Sequence, residues 1–353
     1  MSPVVERFGT QDETRVSELA SLSASVRFYQ IATCTLRIEA LDDWSARHIN
    51  GFISGFCFTP LGDAVAHDAD YTITVRSDSV LPEVPAGWSS FPVERGLCYM
   101  DGEDHYLLID DSAVFVGSTQ SRKVEIWIGQ TPLARSQVAL VNALSYGIQA
   151  AVRRCHLYPL HAAGVIDPLS EKGALIIGNS GSGKSSLTIR LALNGWGYLS
   201  DDLLTIFEAG DAIEARGYRR FFTIGEQTRA AFNSPQLDQA LGAPVLTDRT
   251  KRRLEPHKIF PEGLVESSKP SALFFPNLSG AAKSLVRQLT PSESLGRLVK
   301  LSPWSCYDVS FARNYLRVLS RLAQQATGYE LLAGTDILSD PECGAALLAT
   351  HLR

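Results

Sequence analysis

No run of about 18 consecutive apolar residues occurs in this chain, so no membrane-spanning helix is expected. Residues 1–20 are polar and mixed in charge, without the apolar centre of a secretory leader. Cysteine is sparse. The six residues Cys34, Cys57, Cys98, Cys155, Cys306 and Cys343 form no C-x-x-C pair, and no Cys/His cluster has zinc-ligand spacing. Reduced packing cysteines in a cytoplasmic protein are the expectation. Basic residues are not in excess. With 33 Lys and Arg against 38 Asp and Glu, the net charge is −5, which argues against a generally basic nucleic-acid binder. Neither an internal repeat nor a low-complexity tract is present.

What is present is the composition of a globular chain: 45% apolar and 20% charged residues over 353 positions. That length suits one large or two ordinary domains with a substantial core. Residues 1–25 show little periodicity and read as a frayed tail or short helix. Short strand patterns then recur at Ser25 to Leu41, Tyr71 to Val75, Gly96 to Met100, His105 to Ile109, Ser112 to Val116 and Lys123 to Ile128. Asp101-Gly102 and Asp110-Asp111 mark turns between them, and the spacing predicts an antiparallel, curved sheet. Ile49 to Phe58, rich in Gly and Phe, leads to a turn at Pro60-Leu61-Gly62. Apolar residues at helical spacing between 133 and 155 predict a long joining helix. The expected division is a β-rich accessory domain over 1–132 and a nucleotide-binding domain over 133–353.

Gly178-Asn179-Ser180-Gly181-Ser182-Gly183-Lys184-Ser185 matches the phosphate-binding loop G-x-x-x-x-G-K-[ST] at every fixed position. Ala174-Leu175-Ile176-Ile177 before it reads as a buried strand, and Ser186 to Leu193 after it as a helix stopped by Gly195. Glycines allow backbone N–H groups to meet phosphate oxygens, and the helix start adds its own N–H groups and dipole. Lys184 would reach the outer phosphates and Ser185 would ligate Mg2+, with Ser186 completing the cradle.

Asp201-Asp202 follows the next strand. Carboxylates at a strand end beside a phosphate loop can hold Mg2+ or accept the proton of an attacking hydroxyl. Asp-Asp also occurs as a solvated turn or cap. His161 opens the strand that a short turn joins to the loop strand, which would bring its imidazole near the carboxylates. A lone histidine is more often structural.

The order His161, then the loop, then Asp201-Asp202, with Asp201 seventeen positions after Lys184, resembles the catalytic domain of HPr kinase/phosphorylase. Leu160-His161-Ala162-Ala163, Gly178 to Ser186 and Ser200-Asp201-Asp202 look closer to a divergent HPr-kinase-like branch that includes lasso-peptide precursor kinases. Gly217-Tyr218-Arg219-Arg220 and Lys251-Arg252-Arg253 resemble elements of that branch more loosely. The resemblance covers about residues 155–225, thins towards 300, and is only architectural before 150. It implies an α/β fold: a P-loop kinase domain of the HPr kinase and phosphoenolpyruvate carboxykinase type, here preceded by the β-rich domain. It also implies ATP and Mg2+ as cofactors. On it, Lys184 binds the outer phosphates, Ser185 and Asp202 bind metal, one of Asp201 and Asp202 is the base, and His161 assists. Glu214-Ala215-Arg216-Gly217 resembles part of the signature tied to the reverse reaction in bifunctional enzymes, which makes Glu214 a second metal ligand. The rest of that signature is missing, so neither the reverse reaction nor HPr as acceptor is assumed. The family's hexamers make a homo-oligomer an implied state.

The reading is an ATP-dependent kinase acting on a hydroxyl, serine above all, of a peptide, protein or small molecule. No nucleic acid or membrane partner is expected. The rival is a nucleotide-binding switch that transfers nothing. A simple NTPase ranks lower, because neither N-K-x-D nor a motor-type acidic strand is found.

Overall fold

Nine strands of the first half share one sheet. The structure, a computed structural model, describes residues 25–62, 68–232, 234–245, 250–302, 309–340 and 342–352. Residues 1–24 of the tail read at 1–25, and Cys306, lie outside them. The strands are β1 (Ser25–Ile31), β2 (Cys34–Ala40), β3 (Thr59–Leu61), β4 (Tyr71–Asp78), β5 (Ser89–Val93), β6 (Gly96–Asp101), β7 (Asp104–Ile109), β8 (Ser112–Val116) and β9 (Lys123–Gly129), in the order β3-β1-β2-β4-β9-β8-β7-β6-β5.

The sheet is not wholly antiparallel, as the turn spacing suggested. β2 pairs β4 in parallel, and β4 pairs β9 in parallel. Parallel neighbours need crossovers. One includes α1 (Asp43–Ile53), a helix that the sequence reading did not assign. Asp42 caps it, accepting from the Ser45 amide at 2.9 Å and the Ser77 amide at 2.8 Å. Alternation in β2 and β4 buries Leu36, Ile38, Ile73 and Val75 on one face.

The predicted long helix is α2 (Gln137–Arg154). It packs within this sheet's core, with Ala143, Leu144, Ile148 and Ala151 among the strand residues. A Cβ on Gly147 would come within 2.7 Å of Ile126, so helix and sheet meet where a side chain is missing. Arg154, at the helix end, donates to the Gly117 carbonyl at 3.0 Å and the Glu103 carbonyl at 2.6 Å. Cys155 then forms a disulfide with Cys34 across 121 residues, which corrects the expectation that all cysteines are reduced. Among the described residues, Cys57, Cys98 and Cys343 are outside any disulfide.

The second half is built on a six-stranded sheet of order β13-β11-β12-β20-β22-β21. Its chain runs β10 (Tyr158–Leu160), β11 (Ala162–Ile166), β12 (Gly173–Ile177), α3 (Lys184–Leu193), β13 (Gly197–Ser200), β14 (Leu204–Ala209), β15 (Ala212–Gly217), β16 (Phe222–Gly225), α4 (Glu226–Phe232), α5 (Pro235–Gln239), β17 (Leu241–Pro244), β18 (Lys251–Leu254), β19 (Ser267–Ser268), β20 (Pro270–Leu278), β21 (Leu285–Leu289), α6 (Pro291–Lys300), α7 (Val309–Gln325), β22 (Thr327–Ala333), α8 (Asp336–Ser339) and α9 (Cys343–Thr350). β12, β20 and β22 are parallel neighbours. Both faces of this sheet are covered, which is why Ala174 to Ile177 is apolar without alternation. Leu175 and Ile177 pack with α7 residues such as Leu319, while Ala174 and Ile176 pack with Leu187, Leu191 and Leu348.

Two smaller sheets, β10-β14-β15-β19 and β16-β18-β17, flank it. Pro235 opens α5 and keeps it separate from α4. Among the described residues, no helix is long and apolar enough to cross a membrane, which says nothing of a β-barrel.

Candidate active site

The loop of residues 178–183 leaves the carboxyl end of β12 and turns directly into α3. Gly181 and Gly183 hold φ of 83° and 91°, a region that L side chains rarely adopt. Gly183 is the residue before the helix, and no side chain caps that end. The helix N–H groups are therefore left to the loop's concave side, as an anion site requires. Lys184 is only 4% exposed. Its side chain folds back over the loop and donates to the Gly178 carbonyl at 2.7 Å and the Asn179 carbonyl at 3.1 Å. Burial holds its pKa below the usual lysine value, against the opposing pull of Asp202 and Asp201. Lys251 reaches in from β18, with Nζ 3.5 Å from the Ser180 hydroxyl. Ser186 is engaged with Thr228 of α4 at 2.8 Å, and the buried Ser182 hydroxyl has no hydrogen-bond partner.

β11 lies between β12 and β13, antiparallel to both. Ala162 stands opposite Ile177, and Gly164 opposite Ser200. His161, the loop and Asp201-Asp202 therefore emerge from the same edge of three adjacent strands. His161 Nδ1 is 3.3 Å from Asp202 Oδ1, and its Nε2 is 3.5 Å from Lys184 Nζ. Burial lowers the pKa of His161, and the Asp202 charge only partly restores it. A neutral ring with the proton on Nδ1 suits both neighbours, a carboxylate on one side and an ammonium on the other. Lys184 Nζ is 3.9 Å from Asp202 Oδ1, and Arg219 Nη1 is 3.0 Å from Oδ2.

The two carboxylates differ. Asp202 is partly accessible and surrounded by three basic groups. Asp201 is fully buried. Its Oδ2 accepts from the Thr223 amide at 2.9 Å, but its Oδ1 has no hydrogen-bond partner. Burial, reinforced by the neighbouring Asp202 charge, pushes its pKa up to about 6, while Thr223, the Ser185 hydroxyl and Arg219 pull the other way. A buried carboxylate oxygen left unsatisfied beside a hydroxyl is a fit for a hard divalent cation, which takes oxygen ligands.

Glu214, read as a second metal ligand, stands in the middle of β15 opposite Phe207. The register sets Gly217 opposite Leu204, at the end of the strand pair beside Asp201-Asp202. Glu214 lies three residues back, about 10 Å along the strand. The ion pairs that join Lys184, His161, Asp202 and Arg219 do not include it.

On the other side of the loop a cavity of about 610 Å³ opens beyond the carboxyl ends of the parallel pair β12 and β20. Loop residues 178–182 form one wall, with Phe275 to Leu278, Arg297 and Lys300 facing them. Crevices at such strand ends are where open α/β sheets bind ligands, and the volume is that of a small-molecule site. Sequence reasoning did not find this wall, nor Thr223 as the partner of Asp201. β20 reads only as an apolar strand, and Thr223 is identified by its hydrogen bond alone.

No family model matches the chain, and no curated protein matches it. Among solved structures, the Hpr(Ser) kinase/phosphatase from Coxiella burnetii superposes with a TM-score of 0.31 at 13% identity, over 55% of this chain and 95% of that one. A superposition this loose adds no weight to the geometry above.

Proposed function

We propose that the protein is a kinase that transfers the γ-phosphoryl group of ATP to a hydroxyl, serine above all, of a peptide, protein or small-molecule acceptor. The observation that carries this reading is the meeting of two elements. The phosphate-loop lysine, anchored on Gly178 and Asn179, lies beside Asp202, with Asp201 buried at the same strand end. A loop alone supports nucleotide binding, whereas a loop facing an accessible carboxylate supports transfer to a hydroxyl.

The loop amides and Lys184 would hold the outer phosphates, Lys251 would add charge from the far side, and the β20 side of the cavity would take the rest of the nucleotide. Mg2+, bound with the nucleotide, would neutralise phosphate charge. Ser185 and Asp201 suit that ion better than Asp202, whose oxygens already face His161 and Arg219. The metal role first read for Asp202 thus moves to its neighbour, and Asp202 becomes the residue that orients the acceptor hydroxyl and receives its proton. Positioning and charge neutralisation carry most of the acceleration in phosphoryl transfer. His161 would fix the carboxylate's orientation through Nδ1.

The test is transfer of labelled γ-phosphate from Mg-ATP into a fractionated host lysate, with protein and small-molecule pools read separately. Label in one pool, abolished by Lys184→Ala and reduced at least about 100-fold by Asp202→Asn, is the expected result. Full transfer by Asp202→Asn would sink the assignment. Nucleotide bound by calorimetry with no label in either pool would mark the chain as a nucleotide-binding switch.

A further inference from the structure

Strand alternation splits the basic run of β18 between two faces. Arg252 points outward and donates to the Gly242 carbonyl at 3.0 and 3.1 Å. Lys251 and Arg253 share the opposite face. Lys251 reaches the phosphate loop at Ser180, and Arg253 lies over the Phe221 ring, with Cζ 4.4 Å from its centroid. The same ring carries Arg219, whose Cζ is 5.2 Å from the centroid. Arg253 also sits opposite Thr223 in the β16–β18 register, and Thr223 holds Asp201.

This arrangement has a charge without a counter-charge. Arg219 is paired with Asp202. Among the described residues, no carboxylate or carbonyl pairs with Arg253, and the Nε groups of both Arg219 and Arg253 are buried without a hydrogen-bond partner. Burial lowers the pKa of Arg253, and the charge of Arg219 lowers it further. Placing two guanidinium groups on one ring without an anion between them is electrostatically unfavourable. Planar guanidinium forks suit oxyanions, which they bind through paired N–H donors.

We infer that Arg253 and Arg219, flanking Phe221, form a second oxyanion subsite that holds a phosphate or carboxylate group of the acceptor beside Asp202. The acceptor is then an anionic hydroxyl compound or a segment with an acidic group near its hydroxyl. This inference rests on the kinase reading. It also assigns different work to the two site-facing cations of β18: Lys251 serves the nucleotide and Arg253 the acceptor.

The test is calorimetric titration of inorganic phosphate, and separately of acetate, into two proteins. One is the wild-type chain saturated with a non-hydrolysable ATP analogue and Mg2+. The other is Lys184→Ala without nucleotide, where the loop's hold on an anion is weakened. Arg253→Met, which keeps an aliphatic stem on Phe221, is combined with each. The expected result is anion binding in both backgrounds that weakens about tenfold or more with Arg253→Met and is partly restored by Arg253→Lys, while affinity for the analogue changes less than about twofold. Phosphate stronger than acetate indicates a phosphorylated acceptor, and similar affinities indicate a carboxylate. Anion binding indifferent to Arg253→Met in both backgrounds, or absent from both, overturns the inference. Failure of the analogue to bind wild type in a Lys184-dependent way overturns the kinase reading instead, and the nucleotide-free titration still decides the subsite.

Discussion

Phe56 and Arg219 form a single antiparallel bridge between the two halves of the molecule. Phe56 belongs to the connection after α1 in the first half, and Arg219 carries the guanidinium that pairs with Asp202. The join is broader than one bridge. Tyr218 sits edge-on to both Phe56 and Phe58, and Arg220 donates to the carbonyls of both phenylalanines. The first half therefore braces the segment that sets one side of the site.

Arg220→Met should separate bracing from nucleotide binding. It removes the donor from two carbonyls and should cost about 1–2 kcal/mol of stability. Denaturant unfolding checks this. Turnover of acceptor should fall several-fold while affinity for Mg-nucleotide stays within about twofold, because the loop and α3 are untouched. Equal loss of nucleotide affinity would show that the brace supports the whole domain and not Arg219 alone.

Much of this site was legible because local patterns carry it. A buried strand, a glycine loop and a helix start are adjacent in sequence, and a short turn makes β11 the neighbour of β12, so His161 had to emerge beside the loop. Features that depend on distant pairing were not legible. The parallel register of β2, β4 and β9 rests on crossovers, and the Cys34–Cys155 bond spans 121 residues with no spacing motif. α1 was not assigned because Gly51, Gly55 and three phenylalanines over 49–58 obscure its spacing, and Asp42 capping it went unnoticed. The different fates of Lys251, Arg252 and Arg253 follow from pairing with β16, which three adjacent basic letters do not reveal.

The disulfide gives a second prediction. A cross-link closing so long a loop should stabilise by about 2–4 kcal/mol, chiefly through the unfolded chain. Cys155→Ser should lower the melting temperature relative to oxidised wild type, and a reductant should bring wild type down to the variant's value. A wild-type melting temperature indifferent to reductant would argue against a formed bond.

Asp201 makes stability depend on pH in a definite direction. Its pKa is about 6 in the folded protein, above its ordinary value of 3.8. Between those values the folded state holds the proton more tightly than the unfolded one, so this group's contribution to stability is lost as pH rises from about 4 to 6. Asp201→Asn should therefore be more stable than wild type at pH 7, by on the order of 2–3 kcal/mol, and should lose that advantage near pH 4. Chemical denaturation at a series of pH values measures the difference. A gap that does not change with pH would mean that Asp201 titrates normally.

The same proton should govern nucleotide binding, and His161 should not. A carboxylate that serves the metal must be ionised, so the thermal stabilisation given by Mg-nucleotide should shrink as pH falls through about 6. Binding without Mg2+ should depend much less on pH over that range. His161 differs because burial depresses its pKa below 6.5, so the ring stays neutral until the medium is more acid. Its loss should therefore leave the acid limb of nucleotide binding where it is. His161→Asn should instead lower the plateau of the transfer rate, by about tenfold if its work is to orient Asp202. A pH profile of transfer for this variant, set beside the Mg-nucleotide binding profile, separates the two groups. If His161→Asn moves the acid limb of binding, the proton belongs to the imidazole and the assignment of Asp201 to the metal loses its main support.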